Sequence, residues 1–204
     1  QVDTIDILQT HWQDDTTPIE ETMTALLQLK AEGKIRAIGA SNVTLPHIQA
    51  YSAVGPLDAI QNKYSMMDRG IEAEILPYCR ENNIAVLAYS PLAMGLLTGK
   101  ITQGRAFQGD DVRQKRPRFA PENLQAVQPF LAGLQEIAAA RGCTMSQLVI
   151  AWTLAQPGLT HVLVGARNPQ QALENAQTGS IQLRQDEREQ IDTLLRHYQD
   201  VFVA

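Results

Sequence analysis

Two groups of residues in this chain have the types and order needed to hold a flat ring joined to a phosphate. Arg167 stands beside Asn168-Pro169, directly after an apolar run and at the expected start of a helix. Unpaired backbone N–H groups and the positive end of the macrodipole favour an anion there, and a guanidinium adds bidentate recognition of phosphate. Tyr89-Ser90-Pro91-Leu92 leads into Gly95-Leu96-Leu97-Thr98-Gly99-Lys100. That order is an aromatic face, then small residues that let backbone approach a ligand closely, then a cation. The set suits a nucleotide-like cofactor, and it equally suits a tight turn with one surface lysine. No GxGxxG follows a strand, so the Rossmann route to a dinucleotide is absent.

These residues share a position with others. Five apolar stretches each run into a polar group at the C-terminal end: His11, Ser41-Asn42, Gln61, Tyr89-Ser90 and Gly165-Ala166-Arg167. In a parallel α/β architecture all strand C-termini open on one face, so residues far apart in sequence gather around one ligand. The chemistry is expected on a single rim.

The elements that would carry this rim alternate along the chain. Strands are expected at 4–10, 35–40, 57–60, 84–88 and 160–164, and helices from Pro18 to a stop at Gly33 and then at 44–51, 71–81, 121–140, 146–155, 169–177 and 185–197. Thr17, Pro18 and Glu20 read as a capping box with Pro at the first helical position, over a stripe of Ile19, Met23, Leu26, Leu27 and Leu29. Asn168-Pro169-Gln170-Gln171 repeats that logic. The uninterrupted run 84–88 is that of a strand covered on both faces, and strands separated by helices imply βαβ units with parallel pairing. Residues 91–120 form a long Gly, Pro, Arg and Asp-rich connection, read as a lid or a mobile segment. The basic cluster Arg113 to Arg118 within it reads first as a solvated loop and second as a phosphate contact.

Composition excludes several classes. The chain has 204 residues, 44% hydrophobic and 19% charged, with a net charge of −5 and a pI of about 5.4, so it lacks the basic footprint of a nucleic-acid or anionic-membrane binder. Cys79 and Cys143, each expected inside a helix, support neither a disulfide framework nor a metal site, which points to the reducing cytoplasm. No run of about 18 apolar residues and no signal pattern occurs. Gln1 opens the chain a few residues before its first strand, which reads as a cut through a larger protein. Trp12 is expected at the rim, Tyr64, Met66, Met67 and Trp152 in the core, His47 and His197 on the surface, and His161 as a structural hydrogen-bonder.

At this point the chain becomes recognisable. Asp6-Ile7-Leu8-Gln9-Thr10-His11-Trp12, the run from Gly33 to Asn42, Ile60-Gln61-Asn62-Lys63-Tyr64-Ser65, Tyr89 to Lys100, and Gly165 to Pro169 with Glu174-Asn175 resemble successive motifs of the aldo-keto reductases. The resemblance covers essentially the whole chain. It implies a (β/α)8 TIM barrel, represented here by strands 4 to 8 only, as one partial barrel domain over residues 1–204. The activity it implies is NADPH-dependent reduction of a small aldehyde or ketone to an alcohol. By the same resemblance His11 is the catalytic histidine that hydrogen-bonds the substrate carbonyl, a task suited to a neutral Nε2–H. Ser41, Asn42 and Gln61 would hold the nicotinamide carboxamide, and Tyr89 would stack on the ring. Ser90, Leu92, Gly95 and Lys100 would wrap the pyrophosphate. Gly165, Arg167, Gln171, Glu174 and Asn175 would hold the adenosine end, with Arg167 on the 2′-phosphate and Gly165 and Gln171 standing where some branches place further cations.

The departures matter as much. No segment resembles the Asp-Thr-Ala and Tyr-Gly pattern that carries the family's general-acid tyrosine with its lysine and aspartate, a step worth about 10²–10⁴-fold. The isolated polypeptide is therefore expected to be nearly inactive, and its uncovered sheet edges invite self-association. Two other classes stand beside this one. A non-enzymatic NADPH-binding or interaction protein, as in the potassium-channel β subunits that resemble the family, predicts cofactor binding without turnover. A barrel isomerase or aldolase with a phosphate site predicts turnover without a nicotinamide.

Overall fold

Alternating apolar runs build a parallel sheet. β1 (Ile5–Thr10) pairs with β2 (Ile35–Ser41), Thr10 opposite Ala40; β2 pairs with β3 (Ala59–Lys63), Ser41 opposite Gln61; and β3 pairs with β4 (Ala85–Tyr89), Lys63 opposite Tyr89. The sheet order is β1-β2-β3-β4-β5, with β5 at His161–Leu163. This computed structural model describes residues 2–14, 16–102 and 104–202. They divide into two compact units, one drawn from 1–63, 70–89 and 157–161 and the other from 64–69, 90–156 and 162–204.

In the first unit, α1 (Ile19–Ala31), α2 (Leu45–Val54) and α3 (Ile75–Glu81) follow β1, β2 and β3 in turn, as βαβ units require. Met23 and Leu26 supply the buried stripe of α1. The expected Thr17 cap does not form: Pro18 takes the cap position, and the Thr17 hydroxyl donates to Asp14 Oδ2 at 2.6 Å instead. α2 is capped as its sequence requires, Thr44 Oγ1 accepting from His47 N while His47 Nδ1 accepts from Thr44 N. That gives half-buried His47 a structural task the sequence reading did not assign. α3 starts at Ile75 rather than at residue 71, because Leu76 N bonds to Ile71 O and closes a wider turn ahead of it.

β3 is displaced toward its C-terminus relative to expectation. Asp58 uses its backbone on Ile38 and Ala85 and its carboxylate on Ile38 N at 2.8 Å and Lys30 Nζ at 2.7 Å, so it ties β2, β4 and α1 together before the strand begins. Gln61 is consequently the third residue of β3 and not its terminal one. Gly39, opposite Gln9, leaves a slot: a Cβ there would stand 2.5 Å from Gln9 Cγ, and the Gln9 side chain lies in that space. β1 closes one end of the sheet order, and Ile5 and Ile7 are exposed along it.

In the second unit, α4 (Pro121–Arg141), α5 (Met145–Leu154), α6 (Pro169–Gln177) and α7 (Gln185–Tyr198) surround a core in which Trp152 is 1% exposed and stacks on Tyr64 with centroids 6.1 Å apart. Tyr64, Met66, Met67 and Trp152 are buried as expected, while His197 and His161 are exposed. Buried Glu187 holds Arg141 at 2.6 Å and accepts from Arg184 N, joining α4 to the start of α7. The 91–120 connection is built of short 3-10 turns at Ala93–Thr98, Val112–Lys115 and Pro117–Phe119, with Gln103 outside the described residues.

Two expectations there are corrected. Arg118 is not solvated: it is 5% exposed and forms a bidentate pair with Asp68 at 2.8 and 2.9 Å, since a buried guanidinium needs hydrogen-bonded counter-charge to stay ionised. Cys143 lies between α4 and α5, where Gly142 at φ 74 ends the helix, rather than inside one. Cys79 does lie within α3, and burial pushes its thiol up to about 12, which leaves it unreactive at neutral pH.

Candidate active site

The C-terminal ends of β1 to β4 in the first unit carry one connected hydrogen-bond network. Ser41 Oγ donates to Gln61 O at 2.8 Å, and Asn42 N donates to the same carbonyl at 3.0 Å. Asn42 has left-handed backbone, φ 57, a conformation asparagine tolerates better than most residues and one that concentrates at functional sites. Its carboxamide faces both ways. Nδ2 donates to His11 O at 2.9 Å and Ser41 Oγ at 3.2 Å, and Oδ1 accepts from the Tyr89 hydroxyl at 2.7 Å. His11, Ser41, Asn42 and Tyr89 are thus gathered at neighbouring strand ends, around the carbonyl of Gln61 in the middle of β3. The His11 imidazole is exposed, with its ring centroid 6.0 Å from that of Trp12, which is itself 64% exposed.

Residues that the sequence reading left without a role hold this network. Asn62 is 5% exposed, and its amide pairs with both backbone groups of Val43, accepting from N at 3.1 Å and donating to O at 2.7 Å. That pair sets the backbone immediately after Ser41-Asn42. Gln9 Oε1 accepts from Gln61 Nε2 at 3.4 Å across the space Gly39 leaves. The signal for Asn62 was its place beside Gln61 in the quoted motif, since an asparagine toward the end of an otherwise apolar strand needs a local partner. Asn62→Ala is expected to destabilise the chain by about 1–3 kcal/mol, because two buried backbone groups lose their partners. Urea unfolding measures this, and an unchanged midpoint would remove Asn62 from that role.

The second unit holds the other predicted residues in two places. From Ser90 to Gly95 the backbone turns left-handed at Ser90 (φ 58), Ala93 (φ 47), Met94 (φ 56) and Gly95 (φ 95). Three consecutive left-handed residues, two of them not glycine, store strain of a kind that persists where a backbone must present its N–H groups to a ligand. Half-buried Leu92 supplies the carbonyl that accepts from Gly95 N and Leu97 N, and Lys100 is exposed just beyond. Around α6, Asn168 Oδ1 accepts from Gln171 N at 2.9 Å, a helix cap as expected. The Gln171 side chain, however, reaches Arg167 N at 2.8 Å and not the cap residue, so no full capping box forms. Asn175 Nδ2 donates to Gly165 O at 3.3 Å, and Glu174 accepts from Thr144 at 2.8 Å. The Arg167 guanidinium is exposed.

Arg113, from the basic cluster, ties together the 91–120 connection, a strap over its own short turns. It donates to Asp111 at 2.5 Å and to Met94 O at 3.4 Å, and it lies 4.4 Å from the Phe107 ring centroid. The Arg113 guanidinium, then its backbone N–H, hold the Asp111 carboxyl down at about 2 from an ordinary 3.8, and the charge of Arg167 adds in the same direction. Because the folded carboxyl is the stronger acid, this pair stabilises the strap above the unfolded value of 3.8 and stops doing so as pH falls through about 2. Acidification over that interval is expected to lower the amide-exchange protection factors at residues 104–116. Asp111→Asn should abolish the pH-dependent change in protection; its survival in the variant would assign the transition to another group.

The amides and phenol of the first unit's cluster fit the carboxamide-bearing ring of a nicotinamide, and, taken by itself, the second unit's strained backbone and its guanidinium at a helix N-terminus suit phosphate groups. Among the described residues, no group of His, Cys, Asp or Glu is arranged to hold a metal, and no helix is long and apolar enough to cross a membrane. Comparison with known proteins agrees with this chemistry. The chain is 46% identical over 185 residues to an NADH-specific methylglyoxal reductase of Escherichia coli, which covers 89% of this chain and 56% of that protein. It is 37% identical over 198 residues to the aldo-keto reductase YhdN of Bacillus subtilis, covering 97% of this chain and 60% of that one. Among solved structures, the glycerol dehydrogenase AKR11B4 of Gluconobacter oxydans matches 97% of this chain and 60% of its own, with a TM-score of 0.91 and 36% identity. An aldo/keto reductase from Klebsiella pneumoniae in complex with NADP and acetate matches with a TM-score of 0.70 and 29% identity. The chain therefore spans 56–60% of the length of the curated relatives it matches. A sequence model described as Aldo/keto reductase family matches residues 1–196, and with the shared parallel-strand α/β fold this makes the chain a member of the aldo/keto reductase family.

Proposed function

We propose that this chain carries the nicotinamide-binding part of a cytoplasmic carbonyl reductase, with its five strands being the fourth to eighth of a (β/α)8 barrel. The observation that carries the reading is the hydrogen-bonded cluster of Ser41, Asn42 and Tyr89 against the His11 backbone. A reduced nicotinamide, when bound, supplies the hydride. Ser41, Asn42 and Gln61 orient its carboxamide, and Tyr89 lies against the ring. The His11 imidazole donates a hydrogen bond to the substrate carbonyl oxygen, where negative charge develops. No segment of these 204 residues resembles the motif that carries the family's general acid, so this reading assigns that step to no residue here. The names of the methylglyoxal reductase and glycerol dehydrogenase relatives favour a small carbonyl substrate. The exposed edge of β1 is the surface for self-association.

In the same reading Ser90, Leu92, Gly95 and Lys100 follow the pyrophosphate, and Gly165, Gln171, Glu174 and Asn175 form the adenosine end beside Arg167. NADPH is favoured by Arg167 alone. NADH is favoured by a specific observation: the Asp111 carboxylate already feels the charge of Arg167, and a 46% identical relative is named NADH-specific. Fluorescence titration of the wild type and Arg167→Ala with both reduced dinucleotides decides. If Arg167 holds a 2′-phosphate, its loss lowers NADPH affinity by about 10–100-fold, the worth of a charge-assisted hydrogen bond, and leaves NADH unchanged. An equal effect on both assigns Arg167 elsewhere, and no binding of either by the wild type refutes the nicotinamide reading. Binding without carbonyl-dependent oxidation by the complete polypeptide identifies a binding protein instead.

A further inference from the structure

The His11 imidazole makes no hydrogen bond with any described residue, so the orientation of the ring must be imposed through its backbone. Thr10, just before His11, and Gln13, two residues after it, are both held by a single phenol. The Tyr51 hydroxyl, on a side chain 1% exposed in α2, donates to Gln13 Oε1 at 2.7 Å and lies 3.2 Å from Thr10 Oγ1. A phenol has one proton to give, so Thr10 Oγ1 is the donor in the second bond. Gln13 Nε2 then donates to Ser41 O at 3.0 Å. The chain runs in one direction, from Thr10 through Tyr51 and Gln13 to the end of β2.

This arrangement mirrors the one already described on the other side of the turn. Tyr89 donates to the Asn42 amide oxygen, and the Asn42 amide nitrogen donates to His11 O. Each of two side-chain amides thus receives a phenol proton at oxygen and gives a proton to a backbone carbonyl at the opposite strand end. An amide engaged at both ends loses its freedom to rotate, and serial bonds of this sense polarise one another. We infer that Tyr51 and Gln13 are positioning residues that fix the His11 turn against β2, so that the imidazole is presented in one orientation. The inference rests on the reductase reading for what His11 does, and on geometry alone for how it is held. Such control matters because misplacing a hydrogen-bonding group by about 1 Å can cost on the order of 10²-fold in rate.

The test uses this chain with ring-labelled histidine, comparing wild type, Tyr51→Phe, Gln13→Ala and the double variant by NMR, with His11→Ala to assign its signal. A fixed turn predicts one sharp set of His11 ring resonances. Either single variant should shift and broaden them by admitting loop motion, and the double variant should be no worse than either, since both break one chain. His47, His161 and His197 should not change. Gln13 lies in a half-buried loop, so Gln13→Ala keeps the question open to refutation should Tyr51→Phe fail to fold. Unmoved His11 signals in the folded variants overturn the inference, as do equal changes at all four histidines, which mean general loosening. A parallel titration with reduced dinucleotide separates the two ideas: absence of binding refutes the reductase reading, while the His11 signals still decide the positioning.

Discussion

His11→Ala, made in the complete polypeptide, is expected to lower carbonyl reduction by about 10²–10³-fold, the range for losing one donor to a developing oxyanion. Dinucleotide affinity should hardly move. The separation follows from where the bonds lie. The Asn42 amide, which also bonds Ser41 and Tyr89, donates to the His11 backbone carbonyl and not to its ring, so truncating the side chain leaves the amide cluster intact. Single-turnover rates with reduced cofactor measure the first effect, and fluorescence titration of the same variant measures the second. Parallel loss of both would make His11 a structural residue of the cluster and withdraw it from the chemistry.

The second large effect is on stability and lies in the other unit. Asp68→Ala is expected to cost about 3–5 kcal/mol, because it takes a bidentate carboxylate away from the buried Arg118 guanidinium. Side-chain exposures of 6% and 11% put this pair outside the class of surface ion pairs worth little. Asp68 also accepts from the Ser65 hydroxyl at 2.8 Å, and the backbones of Ser65 and Asp68 bond to each other, so one carboxylate organises the turn after β3 and anchors the end of the long strap. Urea unfolding of Asp68→Ala, Arg118→Met and the double variant Asp68→Leu with Arg118→Met checks the mechanism. Each single change should be costly and the double one should recover much of the loss, since an apolar pair carries no desolvation penalty. A single-variant cost below about 1 kcal/mol would return the pair to the surface class.

Much of the site was legible because parallel βαβ order converts strand-end position into spatial neighbourhood. His11, Ser41-Asn42 and Tyr89 are separated by dozens of residues, yet the pattern of apolar runs ending in polar groups was enough to expect them together, and the first unit bonds them directly. Helix caps at Thr44 and Asn168 follow from local chemistry alone. The cap expected at Thr17 failed because Asp14 competed for its hydroxyl, a choice between two local partners that spacing cannot rank. The family resemblance supplied roles for the site residues, but none of the reasons they stand still.

Those reasons are tertiary. Periodicity determined that the chain alternates strand and helix, that its apolar runs form the core, and that several of those runs end in polar groups. It could not say that Asp58 would hold β3 back to begin at Ala59, that Asn62 would pair with Val43, that Arg118 would be buried on Asp68, or that Tyr51 would reach from α2 to Gln13. Each is a polar side chain whose partner is distant in sequence, and polar residues carry no hydrophobic period to announce burial. Whether such a group is solvated or locked is decided only when packing removes water from around it and leaves one hydrogen-bond partner within reach.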